Sequence, residues 1–160
     1  MGAGMELQSK SPEETIAIGR SLGSVLGPGD VIGLVGPLGA GKTLLTKGIA
    51  EGLGVADSRE VNSPTFVLVN EYRGRHRVFH LDAYRMHGEA ELDDLGFGEM
   101  CGGEAVVVVE WADRVRAALP SAALFIELQP IPARRDERRL TFRHGVDGDW
   151  DRLAAIAPCL

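Results

Sequence analysis

Apolar and polar residues follow one another along this chain in two periods, one typical of helices and the other typical of strands. A helix is predicted from the capping residue Ser11 to about Leu26, because proline follows the cap and apolar residues then recur at helical spacing. The apolar run over residues 31–35 predicts a buried strand, and a second helix extends to about Gly54. The first third of the chain is therefore predicted as helix, strand and helix.

The rest of the chain alternates further strands with helices. Residues 105–109 contain four consecutive valines, which predict a strand covered on both faces. The other predicted elements are a hairpin over 66–72 and 77–81, an acidic helix over 89–95, strands over 124–128 and 138–142, and a closing helix over 149–157. This order predicts a three-layer α/β fold with a mixed, partly antiparallel central sheet. We expect one domain over residues 1–160, with a flexible segment over 1–10.

Composition and charge narrow the class of protein. The chain has 160 residues, of which 44% are hydrophobic and 25% are charged, as in an ordinary soluble domain. Its net charge of -6 argues against binding nucleic acid through an overall basic field. Two separated cysteines and four scattered histidines give neither a disulfide framework nor a zinc motif. With no apolar run of about 18 residues and no secretion signal, the sequence predicts a cytoplasmic protein.

The strongest chemical motif is a phosphate-binding loop between the first predicted strand and the second helix. Residues 36–43 fit the pattern G-x-x-x-x-G-K-T, in which glycines let backbone N–H groups surround phosphate oxygens. Lys42 is expected to reach the β and γ phosphates, and Thr43 to bind Mg²⁺. The predicted nucleotide-binding residues of the loop are Leu38, Gly39, Ala40, Gly41, Lys42 and Thr43. The motif predicts a P-loop NTPase-like domain.

The same motif occurs in kinases, GTPases, transporters and switches, so it does not name a reaction. A guanine-specific site usually contains an Asn-Lys-x-Asp stretch late in the domain, and the chain has no lysine after Lys47. ATP is therefore favoured over GTP. The sequence also contains neither a transporter signature nor an arginine-rich kinase lid.

Two carboxylates are candidates for the chemistry. Glu110 follows the valine strand, where a P-loop protein places the acid that binds Mg²⁺; a helix-capping carboxylate is the alternative. Asp82 shares one side of its predicted strand with His80 and is expected to orient the attacking water. The alternative for Asp82 is a salt bridge to Arg85 or Arg77.

Two other segments have weaker signals. Ser63 to Thr65 follows the loop helix, where a switch segment would bring a hydroxyl near the γ-phosphate. The alternative for this segment is a turn that enters a strand. The only basic cluster is predicted in a hairpin, as a solvated turn or with one arginine against the nucleotide, and it consists of Arg134, Arg135, Arg138, Arg139 and Arg143.

In chain order, several motifs together resemble a known family. They are the loop 36–43, Ser-Pro-Thr-Phe at 63–66, His-Leu-Asp-Ala-Tyr-Arg at 80–85, Glu-Leu-Asp-Asp-Leu-Gly at 91–96, and Glu-Trp at 110–111. This set resembles the TsaE family, the bacterial ATPase of tRNA threonylcarbamoyladenosine biosynthesis, over nearly the whole chain. Ala83 and Ala112 replace residues common in that family, and neither change removes a functional group.

The resemblance implies roles for particular residues. It implies that Thr43 and Glu110 hold Mg²⁺, that Asp82 serves hydrolysis, and that Thr65 belongs to a switch-like segment. It also adds Arg135 as a nucleotide contact. Lys42, Asp82 and Glu110 are therefore the expected catalytic residues, with ATP and Mg²⁺ as the cofactors.

The resemblance also implies partners and a role. It implies that ATP hydrolysis resets the complex that modifies adenosine 37 of tRNA, through a Kae1-like threonylcarbamoyl transferase subunit and its dimerising paralogue. Contact with tRNA would then be indirect. The alternatives are a small-molecule P-loop kinase and a nucleotide-dependent binding module with negligible turnover.

Overall fold

Strands from both halves of the chain form one mixed sheet. The computed structural model describes residues 4–62, 64 and 68–156. Within them the strands are β1 Met5–Ser9, β2 Val31–Val35, β3 Val69–Arg73, β4 Arg77–Asp82, β5 Val106–Glu110, β6 Leu124–Ile131 and β7 Arg134–His144. Their order is β1-β7-β6-β2-β5-β4-β3, with β6, β2, β5 and β4 mutually parallel and antiparallel strands at both edges. The predicted mixed sheet is confirmed.

The helices lie on both faces of this sheet. They are α1 Pro12–Val25, α2 Lys42–Gly52, α3 Glu89–Asp94 and α4 Phe97–Gly102, with short 3-10 helices at Ser58–Glu60, Ala112–Ala118 and Asp151–Ala155. Ser11 caps α1 as predicted, because its hydroxyl accepts a hydrogen bond from the backbone N–H of Glu14 at 3.1 Å. In the described part of the chain, no helix has both the length and the apolar character needed to cross a bilayer.

Strand β5 separates the two apolar layers of the core. Val106 and Val108 pack with residues of α1 and α2, whereas Val107 and Val109 pack with Leu92 of α3 and Phe97 of α4. All four valines are fully buried. The alternation of side chains along a strand therefore divides a uniform valine run between both faces, which confirms the covered strand and the three layers.

Three sequence predictions about local structure were wrong or incomplete. Residues 5–9 of the expected flexible segment form edge strand β1, which pairs with β7 through its backbone. The described part of the predicted closing helix contains only the 3-10 helix, and Trp150 and Arg152 attach this segment by hydrogen bonds to Ala122 and Asp30, which precede β6 and β2. Helix α4 was missed, since it is only six residues long and contains two glycines.

Glycines allow α1 and α2 to approach closely, and this contact holds the helix that follows the phosphate-binding loop. The four glycines of the contact are spaced four residues apart on each helix: Gly19 and Gly23 on α1, Gly48 and Gly52 on α2. A Cβ atom at residue 48 would lie 2.1 Å from the carbonyl oxygen of Ile16, which is inside van der Waals contact. Four of the chain's 21 glycines therefore have a packing function.

Substituting Gly48 with alanine is expected to lower the free energy of unfolding by about 3 kcal/mol, because the two helix backbones must separate. Gly98→Ala is the matched control, since a Cβ atom added to that helical glycine would have no neighbouring atom within 4 Å. Urea denaturation of both variants tests this: Gly98→Ala should unfold at or above the wild-type midpoint. Equal midpoints for Gly48→Ala and the wild type would contradict the close helix contact.

Candidate nucleotide site

The phosphate-binding loop lies at the carboxyl ends of the parallel strands, between β2 and α2. Gly39 and Gly41 adopt left-handed backbone conformations, with φ of 80° and 102°. Gly41 caps α2, so the helix N-terminus and its partial positive charge face the loop. The loop therefore has the backbone geometry and the electrostatics of an anion site.

The Lys42 ammonium group lies inside this loop. Its Nζ donates hydrogen bonds to the carbonyl oxygens of Gly36 at 2.6 Å and Pro37 at 2.8 Å, and lies 3.9 Å from the ring centroid of Trp111. Burial lowers the pKa of Lys42 below its usual range, while the nearby carboxylates of Glu110, Asp113 and Asp82 oppose that shift. The side chain is thus a fixed cation at the floor of the cleft.

Glu110 and Thr43 meet at the end of the loop. The Thr43 hydroxyl donates to Glu110 Oε1 at 3.0 Å, and Glu110 is almost completely buried. The pairing of the strands brings these two residues together. Glu110 ends β5 beside Asp82 of β4 and beside Leu34 of β2, the strand that leads into the loop. The carboxylate faces the phosphate-binding loop. This position favours the interpretation of Glu110 as the acid of a magnesium site over its interpretation as a helix-capping residue.

These oxygens fit Mg²⁺. An octahedral ion with bonds of about 2.1 Å has neighbouring ligand oxygens about 3 Å apart, which matches the separation of Thr43 Oγ1 and Glu110 Oε1. Within the described residues, no group of three or more His, Cys, Asp or Glu side chains is arranged to hold a metal. Mg²⁺ does not need such a cage, because it commonly takes one or two protein oxygens and completes its shell with phosphate and water.

Asp82 lies beside this pair at the end of β4. It is 3% exposed, and its Oδ1 accepts a hydrogen bond from the backbone N–H of Tyr84 at 2.8 Å. Arg77, one of its two predicted salt-bridge partners, pairs instead with Glu71 at 2.9 Å. Asp82 and Lys42 both line the cleft of about 420 Å³ that contains the loop, so a carboxylate and a cation face the same space.

A larger cleft lies at the opposite ends of the strands. Its volume is about 900 Å³, and it includes Arg77 at the start of β4 and Ala105 just before β5. The smaller cleft is the better candidate site, because charged groups converge there on a helix N-terminus.

Comparison with known proteins decides the family. The sequence model of the family described as threonylcarbamoyl adenosine biosynthesis protein TsaE matches residues 9–140. The chain belongs to the TsaE family. The tRNA threonylcarbamoyladenosine biosynthesis protein TsaE of Bacillus subtilis is 45% identical over 139 residues, covering 86% of this chain and 84% of the relative. The TsaE protein of Treponema pallidum is 39% identical over 127 residues, covering 79% and 93%.

The fold agrees with this membership. The crystal structure of YdiB from Bacillus subtilis superimposes with a TM-score of 0.76 at 34% identity, covering 99% of this chain and 94% of that one. The P-loop NTPase-like fold predicted from the sequence is therefore confirmed, and the family resemblance noted in the sequence is correct.

Three residues singled out by the TsaE resemblance have roles that the described structure does not test: Ser63, Thr65 and Arg135. Ser63 and Thr65 lie outside the described residues, so the switch-like segment stays a prediction. Arg135 is exposed on β7, and its backbone carbonyl accepts a hydrogen bond from Arg138. Its proposed contact with nucleotide also stays a prediction.

Arg138 is the arginine of the basic cluster that reaches the loop, and sequence reasoning did not select it. Its Nε donates to the carbonyl oxygen of Ala40 at 3.0 Å, and its Nη2 donates to that of Gly39 at 3.1 Å. The pairing of β7 with β6 is irregular here, because its register shifts between Arg134 and Arg138. Asp136 and Arg138 line one small cleft with Gly39 and Gly41 of the loop, and the sequence reveals neither the sheet order nor this irregularity.

Two aromatic side chains, Tyr84 and Trp111, also line the cleft, and both belong to motifs of the family resemblance. The rings of Tyr84 and Trp111 lie 4.8 Å apart, and the guanidinium of Arg114 lies 5.2 Å from the Tyr84 ring centroid. Trp111 has a left-handed backbone with φ of 58°, which is unusual for a bulky residue. This conformation turns the chain immediately after Glu110 and accompanies the contact of the indole with Lys42.

Proposed function

We propose that this TsaE-family chain binds ATP and Mg²⁺ and hydrolyses ATP within the machinery that makes threonylcarbamoyladenosine in tRNA. The observation that carries the proposal is the contact of Thr43 with Glu110 at the phosphate end of the loop. It joins a loop hydroxyl to an acid on the neighbouring strand, which is the pair expected to hold Mg²⁺ beside bound phosphates.

The chain's own residues supply most of the chemistry. Backbone N–H groups from Leu38 to Thr43 and the Lys42 ammonium would stabilise the charge of the phosphates. Mg²⁺, held by Thr43 and Glu110, would neutralise charge that develops on the phosphate oxygens. Asp82, placed beside Glu110, would accept a hydrogen bond from water and orient it toward the γ-phosphate.

The cellular role rests on the relatives. Proteins 39–45% identical to this chain are described as tRNA threonylcarbamoyladenosine biosynthesis proteins, and we extend that role to it. We further propose that it binds a Kae1-like transferase subunit and its dimerising paralogue in the cytoplasm. Hydrolysis would be slow in the isolated chain and would reset the transferase complex.

Phosphate release from ATP by the purified chain, with and without the two transferase subunits, tests the proposal. We expect Mg²⁺-dependent release that the subunits stimulate, and little release from GTP. Stoichiometric transfer of the phosphoryl group to a metabolite would instead indicate a kinase. Nucleotide binding without turnover, even with the subunits present, would indicate a binding module.

Asp82→Asn is expected to reduce hydrolysis about a hundredfold while changing nucleotide affinity little, because loss of a water-orienting group affects the chemical step. The amide oxygen can still accept the hydrogen bond from Tyr84, so the turn is preserved. Asp93→Asn on the exposed face of α3 is the control and should hydrolyse ATP at the wild-type rate. Equal losses of binding and hydrolysis in Asp82→Asn would assign Asp82 a structural role.

A further inference from the structure

A buried histidine lies behind the magnesium site. His80 is fully buried on β4, and its two ring nitrogens have different partners. Nε2 forms a hydrogen bond with Glu110 Oε2, and Nδ1 lies 3.1 Å from the Tyr72 hydroxyl. The proposed hydrolysis step assigns no role to His80 or Tyr72.

Hydrogen-bonding capacity determines which nitrogen carries the proton. An ionised Glu110 can only accept hydrogen bonds, so Nε2 must carry hydrogen and donate it. In neutral His80, Nδ1 is then an acceptor, and at 3.1 Å it is the nearer of two acceptors of the Tyr72 hydroxyl, since the carbonyl oxygen of Asn62 lies 3.5 Å away. Burial raises the pKa of Tyr72, which keeps its phenol protonated and able to donate.

This pairing also decides how the Glu110 carboxylate is oriented. His80 occupies Oε2, and the nearer hydroxyl contact of Thr43 is to Oε1. A carboxylate without the histidine could rotate about its terminal bond, because that torsion is broad. Fixing one oxygen therefore directs the other toward the phosphate-binding loop.

We propose that His80 is a positioning residue for the Mg²⁺ ligand Glu110, and that Tyr72 sets the tautomer of His80. In many metal sites, a carboxylate behind a ligating histidine orients that histidine. Here the order is reversed, because the histidine lies behind the ligating carboxylate and orients it. This role rests on the proposed function, since it requires Glu110 to hold Mg²⁺.

Two substitutions separate this role from simple packing. The amide nitrogen of glutamine is four bonds from Cα, like His80 Nε2, so His80→Gln keeps a donor within reach of Glu110. The amide oxygen of asparagine is three bonds from Cα, like Nδ1, so His80→Asn keeps an acceptor toward Tyr72 but no donor within reach of Glu110. Tyr72→Phe removes the hydroxyl and retains the ring.

The measurement is the affinity of the purified chain for ADP, by titration calorimetry, with excess Mg²⁺ and with EDTA. We expect His80→Asn to lose the Mg²⁺-dependent gain in affinity by about 10-fold or more, with unchanged affinity in EDTA, and His80→Gln to recover most of it. Tyr72→Phe should lose part of the Mg²⁺-dependent gain in affinity. If His80→Asn does not fold, the result for Tyr72→Phe tests the positioning role.

The outcomes are distinguishable from failure of the proposed function. A wild-type Mg²⁺-dependent gain retained in both His80→Asn and Tyr72→Phe would overturn the positioning role alone. Losses that are equal with Mg²⁺ and with EDTA would make His80 a packing residue and also overturn it. A wild-type chain whose ADP affinity does not respond to Mg²⁺ would overturn the proposed magnesium site, and the role of His80 with it.

Discussion

Replacing Lys42 with alanine is expected to reduce ATP hydrolysis to the background of the assay, a loss of at least about a hundredfold. The ammonium group lies in the loop beside the carbonyl oxygens of Gly36 and Pro37, where bound phosphate would face it. Without this cation, the negative charge of the phosphates would have only backbone dipoles and the metal to stabilise it. Phosphate release and ATP affinity should both fall.

Lys47→Ala is the matched control, because Lys47 lies on the same helix and does not line the cleft. It should hydrolyse ATP at the wild-type rate and unfold at the wild-type temperature. Wild-type turnover in Lys42→Ala would contradict the assignment of the loop as the phosphate site.

Glu110→Gln is expected to weaken nucleotide binding about a hundredfold in the presence of Mg²⁺, which corresponds to about 2.7 kcal/mol. The substitution keeps the shape of the side chain but removes the negative charge that attracts the cation. Binding measured in EDTA should change little. Hydrolysis should therefore fail through loss of the metal.

Glu127→Gln tests whether any carboxylate on a neighbouring parallel strand has this effect. Glu127 lies on β6, beside Val35 of β2, and binds Gln129 outside the cleft. It should leave the response to Mg²⁺ unchanged. An Mg²⁺ response that survives in Glu110→Gln would contradict the proposed metal site.

The sequence was informative wherever one local pattern determines the structure. Ser11 and Pro12 mark the start of α1. The valine run predicted β5 as a covered strand, because alternation places apolar side chains on both faces of the sheet. The loop motif also predicted the convergence of Lys42, Thr43 and Glu110, since parallel strands end at the same edge of a sheet.

Features that depend on sheet order could not be predicted. Strand β1 is stabilised by pairing with β7, more than a hundred residues later, and its own five residues alternate apolar with polar over too short a run to predict a strand. The contact of Arg138 with the loop likewise depends on where β7 lies in the sheet. The contact of His80 with Glu110 depends on the alignment of β4 with β5, although the sequence motifs include both residues.

The most direct test of the account is the content of threonylcarbamoyladenosine in tRNA, measured by mass spectrometry of nucleosides from cells depleted of this protein. We predict that the modified nucleoside falls strongly, that a plasmid copy of the wild-type chain restores it, and that the Lys42→Ala copy does not. An unchanged content after depletion would contradict the role in tRNA modification, and full restoration by Lys42→Ala would contradict its dependence on the nucleotide site.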